Sequence, residues 1–81
     1  MIKAVNYDKK ISRVVKKTVG EETVENTYFR TDFVADDEND ITAANTSGSK
    51  YLDYPAGSCI YTSEDKKMYM LNASEDEYIE V

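Results

Sequence analysis

The sequence predicts a mainly β fold: a small single domain with an N-terminal β-hairpin, a C-terminal three-stranded meander and room for one short helix between them. Three observations carry this. Ile11 to Val19 and Thr23 to Val34 are dense in β-branched residues and flank a short glycine-bearing break, Gly20-Glu21-Glu22. Three short apolar runs near the end alternate with polar turns. The 81 residues suit one domain, 1–81. A chain of that length buries only roughly 60–65% of its unfolded surface, so its core is modest.

Taken in order, Ile2 to Tyr7 is short and mixed. Ile11, Val14, Val15, Thr18 and Val19 make the next run extended, although Val14-Val15 and Lys16-Lys17 break period two and leave space for a bulge. A helix over Lys9 to Val19 is the competing reading, and β-branched density opposes it. From Thr23 to Val34 one alternate set is Thr23, Glu25, Thr27, Phe29, Thr31 and Phe33; the other is Val24, Asn26, Tyr28, Arg30, Asp32 and Val34. Residues 35–54 change character and read as an internal acidic and polar linker. Asp36-Asp37-Glu38-Asn39-Asp40 is acidic, Ile41 to Ala44 suits a short helix capped by Asp40, and Asn45-Thr46-Ser47-Gly48-Ser49 reads as a loop. Tyr51, Leu52 and Tyr54 are placed to anchor this segment to the sheet. Pro55-Ala56-Gly57 signals a turn. Ser58 to Thr62, Lys67 to Asn72 and Tyr78 to Val81 then form a meander, with turns at Ser63 to Lys66 and Ala73 to Glu77. Packing of the last strand predicts that deleting Tyr78 to Val81 destabilises the whole domain. Removing Asn45 to Ser49 should cost little, since loop length is thermodynamically cheap.

Charge excludes several functions. The formal net charge is −6, with no strongly basic region. Binding nucleic acid or an anionic membrane needs clustered Lys and Arg, so neither is an expected partner. The charge is uneven: residues 1–35 carry seven Lys/Arg and five Asp/Glu, while residues 36–81 carry three and eleven. That asymmetry suits a contact between copies or with a basic partner; an ordinary solvated surface is the plainer reading. One cysteine, Cys59, excludes an internal disulfide. With no apolar leader at the first residues and no run near the ~20 residues of a membrane span, the expected setting is a reducing cytoplasm. The sequons at Asn45 and Asn72 are then coincidental.

Chemistry-bearing patterns are sparse. The chain has no histidine, which removes the usual general base and most zinc sites. Cys59 sits alone in an apolar run and reads as a buried, inert thiol. Asp36, Glu38 and Asp40 have the spacing of the first three EF-hand ligands, but Ile41 replaces the required glycine and Ser47 the terminal glutamate. No specific metal site is expected there, a weak calcium site being the alternative. No cofactor is expected, and the chain reads as no enzyme. Lys9-Lys10 and Lys16-Lys17 read as protection of an edge strand. Tyr51, Tyr54, Tyr61, Tyr69 and Tyr78 gather in the C-terminal half as the candidate protein-interaction residues. A core of tyrosines in a small β domain explains them equally well.

The stretch Tyr54 to Val81 resembles a pattern of small structural proteins of prophages in Gram-positive bacteria. The residues that carry it are Pro55-Ala56-Gly57-Ser58, Cys59-Ile60-Tyr61, Met68-Tyr69-Met70-Leu71-Asn72 and Tyr78-Ile79-Glu80-Val81. Tyr78 stands where the pattern has Trp. The resemblance implies a non-enzymatic phage structural or assembly protein, present in the host cytoplasm during assembly and in the virion. Its partner is then a protein, either another copy of itself or a second virion protein. The rival reading is an acidic inhibitor that imitates nucleic acid and occupies a basic host protein. The two differ in carboxylate placement: spread through turns for the first, aligned on one face for the second.

Overall fold

The computed structural model describes all residues, 1–81. Five strands form one sheet in the order β1-β2-β3-β4-β5: β1 is Ile2–Val19, β2 Glu22–Ala35, β3 Cys59–Thr62, β4 Lys67–Leu71 and β5 Tyr78–Glu80. Between β2 and β3 lie the helix α1, Glu38–Ala44, and one 3₁₀ turn, Lys50–Asp53. The mainly β expectation, with an N-terminal hairpin and a short helix before three C-terminal strands, matches this architecture.

The hairpin is longer than the sequence suggested. The two runs at Ile2–Tyr7 and Ile11–Val19 belong to one strand of 18 residues, paired antiparallel with β2 from Ile2↔Ala35 to Val19↔Glu22. The register shifts between Ala4 and Asn6 and again between Asp8 and Ser12. Val14-Val15 and Lys16-Lys17 pair in unbroken register, so both irregularities lie N-terminal to the place where the broken period two suggested a bulge. Gly20 takes φ +65° at the first position of the two-residue connection, where an L side chain is disfavoured. The result is a molecule 43 Å long and only 26 by 21 Å across, with the hairpin as a projecting arm.

Hairpin and meander join through a parallel pairing, Asp32↔Cys59 to Ala35↔Thr62. Parallel neighbours need a crossover, and residues 36–58 supply it. Its helix starts three residues earlier than expected: Asp37, not Asp40, is the N-cap, its carboxylate accepting from the Asn39 N–H at 3.0 Å. Asp40 instead accepts from the Asp36 N–H and from the N-terminal ammonium, at 3.0 and 2.9 Å. The segment expected as a linker is therefore a covering layer. Ile41 and Ala44 are buried with Phe33, Ala35, Ile60, Tyr69, Leu71 and Tyr78, and Ile2, Tyr51, Leu52 and Tyr54 pack against that cluster. Every buried side-chain nitrogen and oxygen has a hydrogen-bond partner. Ser58 accepts from the Thr31 N–H, and the Thr62 hydroxyl donates to the Lys67 carbonyl. No helix is long and apolar enough to cross a membrane.

Candidate interaction surface

Side chains alternate across a strand, so the register assigns each residue to a face. Phe33, Ala35, Ile60, Thr62, Tyr69, Leu71 and Tyr78 share the face that α1 and the 3₁₀ turn cover. The opposite face has no covering layer. Two rows cross it: Lys3, Val34, Tyr61 and Met68, then Asn6, Asp32, Cys59, Met70 and Ile79. Met68, Met70 and Ile79 are 44, 41 and 49% exposed. Val34 and Tyr61 are half-buried beside them. At the β1 side the apolar rows end on an ion pair, Arg30 to Asp32 at 3.2 Å.

Cys59 lies beneath this surface. It is buried, its thiol donates to the Gly57 carbonyl at 3.3 Å, and an Arg30 N–H points at its sulfur from 3.8 Å. Burial pushes the thiol's pKa up, against a smaller lowering by Arg30. At neutral pH it is a protonated thiol packed among side chains. No three carboxylates or thiols converge in an arrangement that would hold a metal ion.

Four of the five tyrosines meet in and around the core, and Tyr61 lies apart from them. Tyr69 and Tyr78 are 8 and 2% exposed and belong to the core, so neither presents a ring to a partner. Tyr51 and Tyr54 stand edge-on to Phe33, with ring centroids 5.4 and 5.0 Å away, and serve to hold the 3₁₀ turn on the sheet. Only Tyr61 lies on the uncovered face. Burial raises the pKa of Tyr54 and, more strongly, of Tyr78, whose hydroxyl donates to the Tyr51 carbonyl at 2.7 Å. Sequence reading missed Met68, Met70 and Ile79 as surface residues. The signal was present: Met68-Tyr69-Met70-Leu71 is apolar at every position, which means that both faces of β4 are apolar, not one.

The arm makes a second surface. Arg13 donates to the Leu52 carbonyl at 2.6 Å and pairs with Glu75 at 3.4 Å; Lys17 pairs with Asp53 at 2.7 Å. These contacts and the Tyr28–Tyr54 ring pair tie one side of the arm to the body. Away from them the arm exposes Tyr7, Ile11 and Val14, at 57, 45 and 51%. The Tyr7 ring stacks on Phe29 at 6.2 Å. A shallow groove of about 460 Å³ runs between Tyr7 and the Tyr28–Tyr54 pair, with Ala4, Thr27, Phe29 and Thr31 on its walls.

Fold and surface together define a small sheet protein covered on one face, with an apolar second face and a projecting two-stranded arm. Comparisons with protein-family models, with curated proteins and with solved structures find no match for this chain.

Proposed function

We propose that this chain is a non-enzymatic structural or assembly protein that acts through protein–protein contacts, with the uncovered sheet face as a principal contact surface. The observation that carries the reading is the one-sided layering of the sheet. A sheet face in permanent contact with water ordinarily alternates to polar residues. This one presents two methionines, an isoleucine and a tyrosine as neighbours, and contiguous exposed apolar groups of this kind mark interaction sites. Methionine suits such a surface because its flexible thioether adapts to the partner's shape. The resemblance of Tyr54 to Val81 to prophage structural proteins supports a setting in virion assembly, with another virion protein or a further copy as the partner.

Carboxylate placement supports this over nucleic-acid mimicry. The acidic residues lie mainly in turns and at the start of α1. Several are already engaged in ion pairs: Asp36 and Asp40 share the N-terminal ammonium, Asp53 pairs with Lys17 and Glu75 with Arg13. A mimic must keep its charges free for the basic partner.

The test is site-specific photocross-linking in the producing host. Benzoylphenylalanine at Met70 should give a discrete protein adduct, whereas the same group at Thr46, on the covering layer, should not. Equal yields at the two positions, or none at Met70, would overturn the reading.

A further inference from the structure

We propose that the groove between Tyr7 and the Tyr28–Tyr54 pair is a second binding site. It takes a proline-rich segment of another protein in the polyproline II conformation, and a carboxylate of that segment meets Lys9. The site lies on the side of the sheet that the crossover covers and does not depend on the uncovered face.

The groove begins where the covering layer ends. Thr27, Phe29 and Thr31 form one row of β2 that continues to Phe33 in the core. Tyr54 is the last ring of the layer. It stands edge-on to Phe33 at 5.0 Å and to Tyr28 at 5.1 Å, so it is held from two sides. Across the row, the Tyr7 ring stacks on Phe29, and the Lys9 ammonium lies 5.8 Å from the centre of the Tyr7 ring. The cleft between these aromatic walls, about 460 Å³, is within the size range of ligand sites.

Its polar groups are of one kind. The hydroxyls of Tyr7, Thr27, Tyr28 and Tyr54 line the groove and make no hydrogen bond within the chain, while that of Thr31 donates to the Phe29 carbonyl. Lys9 has no carboxylate partner, whereas Lys16 and Lys17 do. Every free polar group can therefore donate, and the lining holds no carboxylate and no side-chain amide.

Those groups select the occupant. A polyproline II segment has no internal hydrogen bonds, and its prolines carry carbonyls without N–H groups, so it brings acceptors to a groove of donors. Such segments dock in aromatic-lined grooves, and their conformation is set before binding, which lowers the ordering cost. The unpaired charge of Lys9 calls for a carboxylate beside the prolines. An added β-strand is disfavoured because the nearest edge of β2 is already capped: the Ser58 hydroxyl accepts from the Thr31 N–H, and the Phe29 carbonyl accepts from Thr31. A sugar is disfavoured because the lining has no carboxylate or amide to accept from its hydroxyls. A quaternary ammonium would meet the Lys9 ammonium, which already lies over the Tyr7 ring. The occupant is not a second copy of this chain, whose one proline, Pro55, is buried.

Heteronuclear NMR of the full chain, titrated with a blocked peptide of Pro-Pro-Glu repeats, tests this. Saturable shifts should be confined to the amides of residues 7–9, 27–31 and 54. Pro-Pro-Lys and Gly-Gly-Glu counterparts should bind at least about fivefold more weakly, the first for its charge and the second because it is not preformed. Tyr7→Ala should weaken the Pro-Pro-Glu peptide by about tenfold. Circular dichroism checks the fold of that variant; if it does not fold, Lys9→Gln replaces it and should remove the preference for Pro-Pro-Glu over Pro-Pro-Lys. The proposal is overturned by absence of saturable shifts, by equal binding of either counterpart, by an unaffected variant, or by tighter binding of polygalacturonate at the same amides. The contact reading of the uncovered face falls separately, with the photocross-linking result at Met70.

Discussion

The side-chain amide of Asn45 closes the edge of the last strand by holding both backbone groups of Tyr78. Its Oδ1 accepts from the Tyr78 N–H at 2.7 Å and its Nδ2 donates to the Tyr78 carbonyl at 3.1 Å. An amide presents a donor and an acceptor side by side, as a neighbouring strand would. Asn45 is also the C-cap of α1, so one residue ends the helix and finishes the sheet.

Asn45→Ala should therefore cost about 2 kcal/mol, because two backbone groups beside the core lose their partners. For a domain of this size the melting temperature should fall by on the order of 10 °C. The same contact revises an expectation from the sequence. Removing Asn45 to Ser49 takes away the clasp along with the loop, so urea melts should show that deletion to be costly, not mild.

Tyr78 also sets an alkaline limit. Its pKa is raised in the fold, so its contribution to stability is complete below the ordinary tyrosine value of 10 and declines as pH rises above it. Tyr54 and Cys59 are shifted the same way and add to the decline. Tyr78→Phe should flatten part of this alkaline limb. At neutral pH it should cost about 1 kcal/mol, for the hydrogen bond to the Tyr51 carbonyl. Chemical denaturation from pH 7 to 11 checks both.

The two faces of β4 should respond oppositely to substitution. Leu71, 2% exposed, should lose about 2–5 kcal/mol on change to Ala through the lost contacts and the cavity left behind. Met70→Lys, on the uncovered face, should change monomer stability by only about 0.5 kcal/mol. Urea melts make the comparison. A large loss at Met70 would mean that its side chain supports the fold and is not held out for a partner.

Lys66 sits at φ +55° in the turn between β3 and β4, where a side chain is sterically disfavoured. Lys66→Gly removes that conflict and adds some unfolded-state freedom. The net effect should be a gain of about 0.5–1 kcal/mol, read as a higher melting temperature.

Arg13 anchors the arm to the body. Arg13→Ala should speed amide exchange in residues 12–18 and 23–29 by about tenfold, equivalent to about 1.4 kcal/mol of local opening. Exchange at Leu71, in the core, should stay unchanged.

How much of this was legible in the sequence follows from the range of each interaction. The hairpin was readable because β-branched residues and a glycine break act within a few positions. So were the last three strands, whose apolar runs and polar turns are local too. Cys59 as a buried thiol followed from its apolar neighbours in the chain. The tyrosines were not separable, since a ring is core or surface according to which partner lies above it, and that partner is distant in sequence. Tyr69 and Tyr61 differ only in which sheet face they occupy. The helix cap was misplaced by three residues because Asp37 and Asp40 are equally good caps locally, and Asp40 was drawn to the N-terminal ammonium instead.

By itself the sequence determined the strands, the turns and the separation of basic and acidic halves, because backbone sterics, alternation and side-chain charge are properties of neighbouring residues. Only the tertiary structure decided that β2 and β3 pair in parallel, that residues 36–58 become a covering layer, and that this layer protects one face and leaves the other open. Those choices are made by burial of Ile41 and Ala44 against Phe33 and Ile60, and by Asn45 against Tyr78, contacts that join residues far apart in the chain. No local pattern encodes which side of a sheet a crossover passes over, and here that choice decides which residues are left for a partner.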